Sequence, residues 1–453
     1  MLESAQKDRL AAAVERMIAR FRREDVNMHG FLLSVDGRLA AQAYYPPFRE
    51  GQPHRMYSVS KTLTGIAVGM LADDGLLALD DPICRYFEDW LPPRPDERLT
   101  ALTIRDMLRM ATCYRWTAYR EGVDENWAKM FFISQPTHAP GTVFYYDTGC
   151  SQALAELVRR RSGMGVLDFL NRRLFGPLGA NDPKYWLRDP SGCEQGGTGL
   201  CMSLRDMHRV AQCLLDGGEG IVPAWFAAEM GEKHIDTPLQ TNEEERYGYG
   251  WQCWRTRAGW AMYGMGGQLA ILCPDKRAVL STIADTRLDP FGVQRIYNAF
   301  FEEVYPCLDA GAPETPRVYT PAMRPLDDRS GRALTEAGPY VFPADNPLGL
   351  KRLSLRDGRL CYENRRGSCV LPVCPGVVTQ AAFPGWPDVP ALVSAGWTAD
   401  GALRLRCFAI GDAPCGFDLL AAFGDGGVTV QTRMSHDPMT RDYDGVVSGT
   451  IEP

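Results

Sequence analysis

The chain holds 453 residues, 45% hydrophobic and 23% charged, with a formal net charge of −7. That length supports two or three domains with full cores, and mild acidity without a lysine-rich, aromatic-interleaved stretch argues against nucleic acid as a partner. The 14 cysteines contain no C-x-x-C, the 6 histidines stand far apart, and no G-x-x-x-x-G-K-[ST] loop occurs, so no metal, nucleotide or other cofactor is expected.

Residues 1–25 read as a charged amphipathic helix and not as a signal peptide. No run approaches eighteen apolar residues, so no membrane partner is expected. Many cysteines without an export signal point to a reduced, cytoplasmic protein. Residues 30–35 and 38–44 then flank Asp36 and Gly37, a strong hairpin signal.

The next element starts at Tyr57 and reads YSVSKTLTGIAVGMLADDG. Its plain structural reading is a helix capped by Ser58, with Leu63, Ile66, Ala67, Met70 and Leu71 as a buried stripe. That reading leaves Lys61 unexplained. A cation in the first turn opposes the helix dipole at a cost of a few tenths of a kcal/mol. The functional reading makes Ser58 and Lys61 one unit: positions i and i+3 share a helix face, so the amine reaches the hydroxyl. A lysine pushed toward neutrality can take the serine proton, and the Ser58 N–H at the helix start faces the oxyanion formed on attack. The spacing alone is weak, since Ser4 and Lys7 repeat it at the N-terminus.

Helical periodicity, turns and prolines continue to about residue 245, with short helices expected at 104–110 and 204–210. Arg159, Arg160 and Arg161 read as a solvated helix end. Strands are predicted over 247–255, 259–274 and 277–286, then a helix near 292–305. Pro313, Pro316, Pro321 and Pro325 mark a linker over 310–325. Beyond it, Asp357–Gly358 and Asp400–Gly401 punctuate alternating strands, the pattern of a small all-β barrel or sandwich. The predicted organisation is 1–309, a linker over 310–325, and an all-β domain over 326–453. The first part has an α/β (α+β) pattern: one antiparallel sheet, uniting the early hairpin with strands some 200 residues later, flanked by helices and interrupted by a helical region.

At this point the sequence resembles the β-lactamase-related serine hydrolases: class C β-lactamases, D-alanyl-D-alanine peptidases and their esterase and amidase relatives. The resemblance covers about residues 5–305. Ser58-Val59-Ser60-Lys61 is similar to the first family motif, S-x-x-K. Pro140-Gly141-Thr142-Val143-Phe144-Tyr145-Tyr146-Asp147-Thr148 is similar to the second, and Tyr263-Gly264-Met265-Gly266-Gly267-Gln268-Leu269 to the third. The stretch 197–206 is similar to the family's G-L-x-x-[ST]-x-x-D helix start. The resemblance implies a β-lactamase/transpeptidase-like fold, Ser58 as nucleophile, and Lys61 with Tyr146 as general base and acid. Tyr145 fits the tyrosine role with a one-residue shift. It also implies that Thr148 stands where relatives carry a polar asparagine or serine.

The third motif departs most. Penicillin-recognising members carry K-T-G or H-T-G, whose cation meets the substrate carboxylate, and here Met265-Gly266-Gly267 stands there. An entering carboxylate loses a charge-assisted contact of about 1.5–3 kcal/mol. Gly267 lets a substrate approach the backbone, and the Gln268 N–H becomes a candidate second oxyanion donor. Tyr57, Trp116, Tyr119, Trp127, Tyr249, Trp251 and Trp254 divide between core and an apolar acyl or leaving-group pocket. The expected activity is an esterase or amidase acting, through an acyl-enzyme, on a small molecule lacking a recognised carboxylate. The alternatives are an acyltransferase, a β-lactamase or D-alanyl peptidase, or a non-catalytic ligand-binding protein of the same fold. The oligomeric state is open.

Overall fold

Asp36 and Gly37 take left-handed conformations (φ 50° and 71°) and turn β1 (Met28–Val35) into β2 (Arg38–Tyr44), as the Asp-Gly pair predicts. The computed structural model describes residues 2–117, 119, 124–329, 336–411, 414–435 and 443–453, with backbone alone for 2–7. Ser4 and Lys7 fall in the helix Leu2–Arg23, and their side chains lie outside that description.

Three short strands follow the hairpin: β3 (His54–Arg55), β4 (Tyr185–Trp186) and β5 (Leu200–Met202), joined in the order β3-β5-β4. Then come β6 (Trp254–Thr256), β7 (Gly259–Gly264), β8 (Gln268–Cys273), β9 (Ala278–Ala284) and β10 (Arg317–Tyr319). These unite with the hairpin in one seven-stranded sheet of order β10-β2-β1-β9-β8-β7-β6. The sheet is antiparallel except where β10, inside the proline-rich stretch, runs parallel to β2. Both faces are covered, which explains why every residue of β1 is buried. Phe31 and Leu33 pack with Leu10, Val14, Met17 and Phe300 on one face, whereas Leu32 joins Val59, Leu63 and the helical region on the other.

The C-terminal strands are β11 (Ala337–Val341), β12 (Arg352–Arg356), β13 (Arg359–Asn364), β14 (Gly367–Pro372) and β15 (Val378–Phe383). They continue with β16 (Trp386–Trp397), β17 (Leu403–Ala409), β18 (Gly416–Gly424), β19 (Gly427–Met434) and β20 (Gly445–Ile451). All ten form one antiparallel sheet, ordered β14-β13-β12-β11-β20-β19-β18-β17-β16-β15. Its two edge strands come alongside each other, so the sheet is a nearly closed barrel. Leu403, Leu405, Cys407 and Ala409 alternate inward along β17, with Leu353, Trp397 and Phe417 in the same interior.

Two elements differ from expectation. The strand predicted over 247–255 forms only at β6. Tyr249 and Trp251 are buried, but their backbone N–H groups donate to the Ile235 carbonyl in a preceding loop and to the Met230 carbonyl at the end of the helix Ala224–Met230, and not to the sheet. The helix Val59–Asp73 buries every residue from Val59 to Leu71 and not one stripe, because it lies between the sheet and the helix Thr148–Ser162. Arg159, Arg160 and Arg161 end that second helix, where Arg159 and Arg160 pair with Glu156. Among the described residues no helix is long and apolar enough to cross a membrane.

Candidate active site

Ser58 stands at the N-terminus of the buried helix with helical backbone angles (φ −73°, ψ −4°), and its side chain makes no capping bond. The hydroxyl is thus left for other partners. Tyr57, just before it, takes a left-handed φ of 46°, a conformation that costs a bulky residue on the order of 1–3 kcal/mol and concentrates at functional sites. Ser60 holds the turn: its hydroxyl donates to the Tyr57 carbonyl (2.6 Å) and accepts from the Leu200 N–H (3.0 Å). Thr64 donates to the Gly196 carbonyl (2.9 Å), so hydroxyls on one helix anchor the segment that crosses it.

Lys61 is only 1% exposed. Its Nζ lies 3.0 Å from Ser58 Oγ, 3.3 Å from Thr148 Oγ1 and 2.8 Å from the Gly197 carbonyl. These three neutral acceptors fix the amine against the serine. Gly197 has to be glycine here, because a Cβ would lie 2.6 Å from the Thr148 methyl and 3.2 Å from Nζ. Thr148 opens the helix Thr148–Ser162, whose N-cap is Asp147, bonded to the Gly149 N–H (3.0 Å) and the Thr117 hydroxyl (2.7 Å).

The Tyr146 ring centre lies 4.8 Å from Lys61 Nζ, which places the phenol beside Ser58. Burial holds the phenol above its ordinary range, with the neighbouring Ser58 hydroxyl drawing it down and the negative Glu245 pushing it up. Tyr145, the shifted alternative, packs instead against His138. The geometry brings together Ser58, Lys61, Tyr146 and Thr148.

The third segment closes the other side. Gly264, ending β7, passes so near Met56 that a Cβ would meet the Met56 carbonyl at 2.1 Å. Met265, Gly266 and Gly267 form the turn into β8, the two glycines at φ 88° and 99°, and Met265 is 42% exposed. The Gln268 side chain turns away from the cleft, donating to the Met265 carbonyl (2.9 Å) and the Ala284 carbonyl (2.8 Å), and so fixes that turn. Of the aromatic residues, Trp254 stacks on Tyr146 at 5.5 Å and Tyr249 packs edge-on to both, while Trp116 is 60% exposed.

Sequence reasoning missed three nearby features. Arg287 donates to the Tyr57 hydroxyl (2.8 Å) and to the Pro414 carbonyl of the C-terminal sheet, and it is held by Asp285 (2.7 Å). Glu245 accepts from Asn242 Nδ2 (2.7 Å), and its charge acts on Tyr146. The Gly197 carbonyl is the third, and only its glycine-rich context hinted at it.

A Beta-lactamase family model matches residues 14–300. The 6-aminohexanoate-dimer hydrolase of Paenarthrobacter ureafaciens is 26% identical over 213 residues, 44% of this chain and 54% of that protein. The chain spans about half the length of the curated relatives it matches. The D-amino acid amidase of Ochrobactrum anthropi SV3 aligns with a TM-score of 0.52 at 17% identity, over 66% of this chain and 98% of its own. The octameric penicillin-binding protein homologue of Pyrococcus abyssi aligns at a TM-score of 0.50 and 14% identity, over 97% of this chain and 99% of its own. The family match takes in β1 to β9 and the helical region between them, and the chain belongs to the Beta-lactamase family of serine hydrolases.

Proposed function

We propose that the protein hydrolyses small esters or amides through an acyl-enzyme on Ser58. The observation that carries this is the contact of Lys61 Nζ with Ser58 Oγ at 3.0 Å, with the Tyr146 ring 4.8 Å from the same amine. As the free amine, Lys61 takes the Ser58 proton while Oγ attacks the carbonyl carbon. Tyr146, kept as a neutral phenol by its raised pKa, hands a proton to the leaving group and is replenished from Lys61. Water then attacks the acyl carbon by the reverse relay and frees Ser58. The oxyanion is received by the Ser58 N–H at the helix start and by the Gln268 N–H after Gly267. Thr148 orients Lys61, and Met265 offers the substrate an apolar, uncharged surface.

The catalytic unit in this reading is 1–309, the stretch 310–325 joins it to the all-β domain over 326–453, and the free thiols of the described cysteines fit a reducing, cytoplasmic setting. The test is labelling with a fluorophosphonate, read by intact mass, beside turnover of short-chain p-nitrophenyl esters. One adduct on Ser58, and loss of label and turnover in Ser58→Ala, are expected. Turnover that survives Ser58→Ala overturns the mechanism.

A further inference from the structure

Two polar side chains flank the open end of the first hairpin: Asn27 precedes β1, and Tyr45 follows β2, its N–H donating to the His29 carbonyl (3.0 Å). Among the described residues the Tyr45 hydroxyl and Asn27 Nδ2 make no hydrogen bond, and both atoms are shielded from solvent. Tyr45 is 6% exposed, and burial alone holds its phenol above the ordinary range. A buried polar group left without a partner costs a fold more than a made bond returns, so two side by side call for a reason.

Both residues line one crevice of about 500 Å3, partly open to solvent, between this end of the hairpin and the C-terminal sheet. Its apolar walls are Val26, Met28, Met323, Val378, Leu392 and Phe408. Leu392 and Phe408 oppose each other on β16 and β17 and point out of the barrel, because the alternate positions Val393, Cys407 and Ala409 fill its interior. The two methionines let the walls adapt to an occupant. The charges lining the crevice are already engaged: Arg406 with Asp25 and Asp418 (2.8 Å each), and Arg324 with Asp327 (2.9 Å). Ser394 Oγ accepts from the Leu326 N–H (2.7 Å). One neutral donor and one hydroxyl therefore stay open amid apolar surface. Their complement is an uncharged molecule with an alkyl body and a carbonyl oxygen, since an ion would enter without a partner.

We propose that this crevice is a second ligand site, which takes a small neutral carbonyl compound with a short alkyl chain, its oxygen accepting from Asn27 Nδ2 and the Tyr45 hydroxyl. It shares no lining residue with the Ser58 cleft and does not depend on the hydrolase reading. Its occupant touches the hairpin end on one side and the barrel on the other, so it binds the docked arrangement and stabilises it by linkage.

The probe is hexanamide, compared with hexanoate and hexylammonium on the full-length Ser58→Ala chain, so that turnover cannot consume it. Calorimetry and thermal melts are expected to show binding of hexanamide and a raised Tm, with both ions at least tenfold weaker. Tyr45→Phe and Asn27→Ala should each weaken hexanamide about tenfold. Tyr45→Phe should leave the Tm of the unliganded chain unchanged or higher, because its hydroxyl has no bond to lose, so weaker binding in that variant does not report unfolding. A diazirine-bearing analogue of hexanamide should label peptides that hold Met323 or Leu392. Absence of hexanamide binding leaves the two groups to water and overturns the site. Binding that neither substitution weakens, equal affinity for the ions, or label confined to peptides of the Ser58 cleft overturns it too. If Asn27→Ala unfolds, Tyr45→Phe carries the comparison.

Discussion

The Tyr57 hydroxyl donates to the Pro414 carbonyl at 3.1 Å, so the residue immediately before Ser58 is tied to the C-terminal sheet. Arg287 reinforces the junction by donating to the same hydroxyl and the same carbonyl. A bulky residue with a left-handed φ persists only where its surroundings over-determine it, and this junction is one such constraint. Tyr57→Phe removes both bonds to the hydroxyl and keeps the ring. The expected result is a tenfold fall in kcat/KM and a loss of stability on the order of 1–2 kcal/mol, read by ester hydrolysis and urea unfolding. Unchanged activity would show that the second domain is an accessory to the site.

Arg287 and Asp285 form a buried pair, their side chains 4% and 1% exposed. Arg287→Met strands the carboxylate and should cost about 3–5 kcal/mol. Adding Asp285→Asn removes the stranded charge, so the double variant should be more stable than the single one. Equal stability of the two would mean that Asp285 finds another partner. Denaturant midpoints of the three proteins decide.

How far the sequence was legible depended on distance along the chain. The Asp36–Gly37 hairpin and the Ser58–Lys61 contact were readable because each is set within a few residues. That one antiparallel sheet unites the hairpin with strands some 200 residues later was readable from their apolar patterns, but the pairing of β9 with β1 was not. Pro414 left no signal, since it meets Tyr57 and Arg287 only once a distant part of the chain has folded. The reach of the strand predicted over 247–255 failed for a related reason: burial of Tyr249 and Trp251 gave an apolar pattern without saying which backbone their N–H groups would pair with. The linker reading of 310–325 was built on prolines, which say little about the three residues between them that add β10 to the sheet.

The relay makes a sharp claim on Lys61. A guanidinium cannot give up its proton near neutral pH, and the pocket, closed around Nζ by Ser58, Thr148 and Gly197, has no room for it. Lys61→Arg should therefore be as inactive as Lys61→Ala, at least a thousandfold down in kcat. Tyr146→Phe should lose about a hundredfold or more, whereas Tyr145→Phe should change kcat less than threefold. Steady-state kinetics on p-nitrophenyl acetate reads all four. Appreciable activity in Lys61→Arg would reduce Lys61 to a fixed charge.

Stability should respond to acid through His208. The ring is 8% exposed, its Nδ1 is 2.9 Å from Ser281 Oγ, and burial lowers its pKa to about 4. The unfolded value is about 6.5, so the unfolded chain binds the extra proton first, and stability present above that pH is lost as pH falls toward the folded value. Between pH 7 and 5 this one residue should account for about 2 kcal/mol. His208→Gln should lose that much less stability over the same interval in urea melts. Parallel curves for the two proteins would assign the acid sensitivity elsewhere, for instance to His29, which is also held neutral by burial.

The exposed thioether of Met265 sets the last expectation. Arg287 has its Cγ 3.4 Å from where a Gly266 Cβ would lie, but its guanidinium is bound to Asp285 and the Pro414 carbonyl. A carboxylate entering beside Met265 therefore meets an uncharged surface. Leaving a buried carboxylate unpaired costs several kcal/mol, whereas a neutral group lies comfortably against the thioether. A neutral ester should then exceed its carboxylate-bearing analogue in kcat/KM, and penicillins and cephalosporins, which carry that carboxylate, should acylate Ser58 slowly. Met265→Lys should raise kcat/KM for the anionic analogue about tenfold, equivalent to about 1.4 kcal/mol. The measurement is a matched neutral and anionic pair on both proteins. A preference of the unmodified enzyme for the anionic member would mean that Arg287 leaves Asp285 when substrate binds, and penicillin-like substrates would return to consideration.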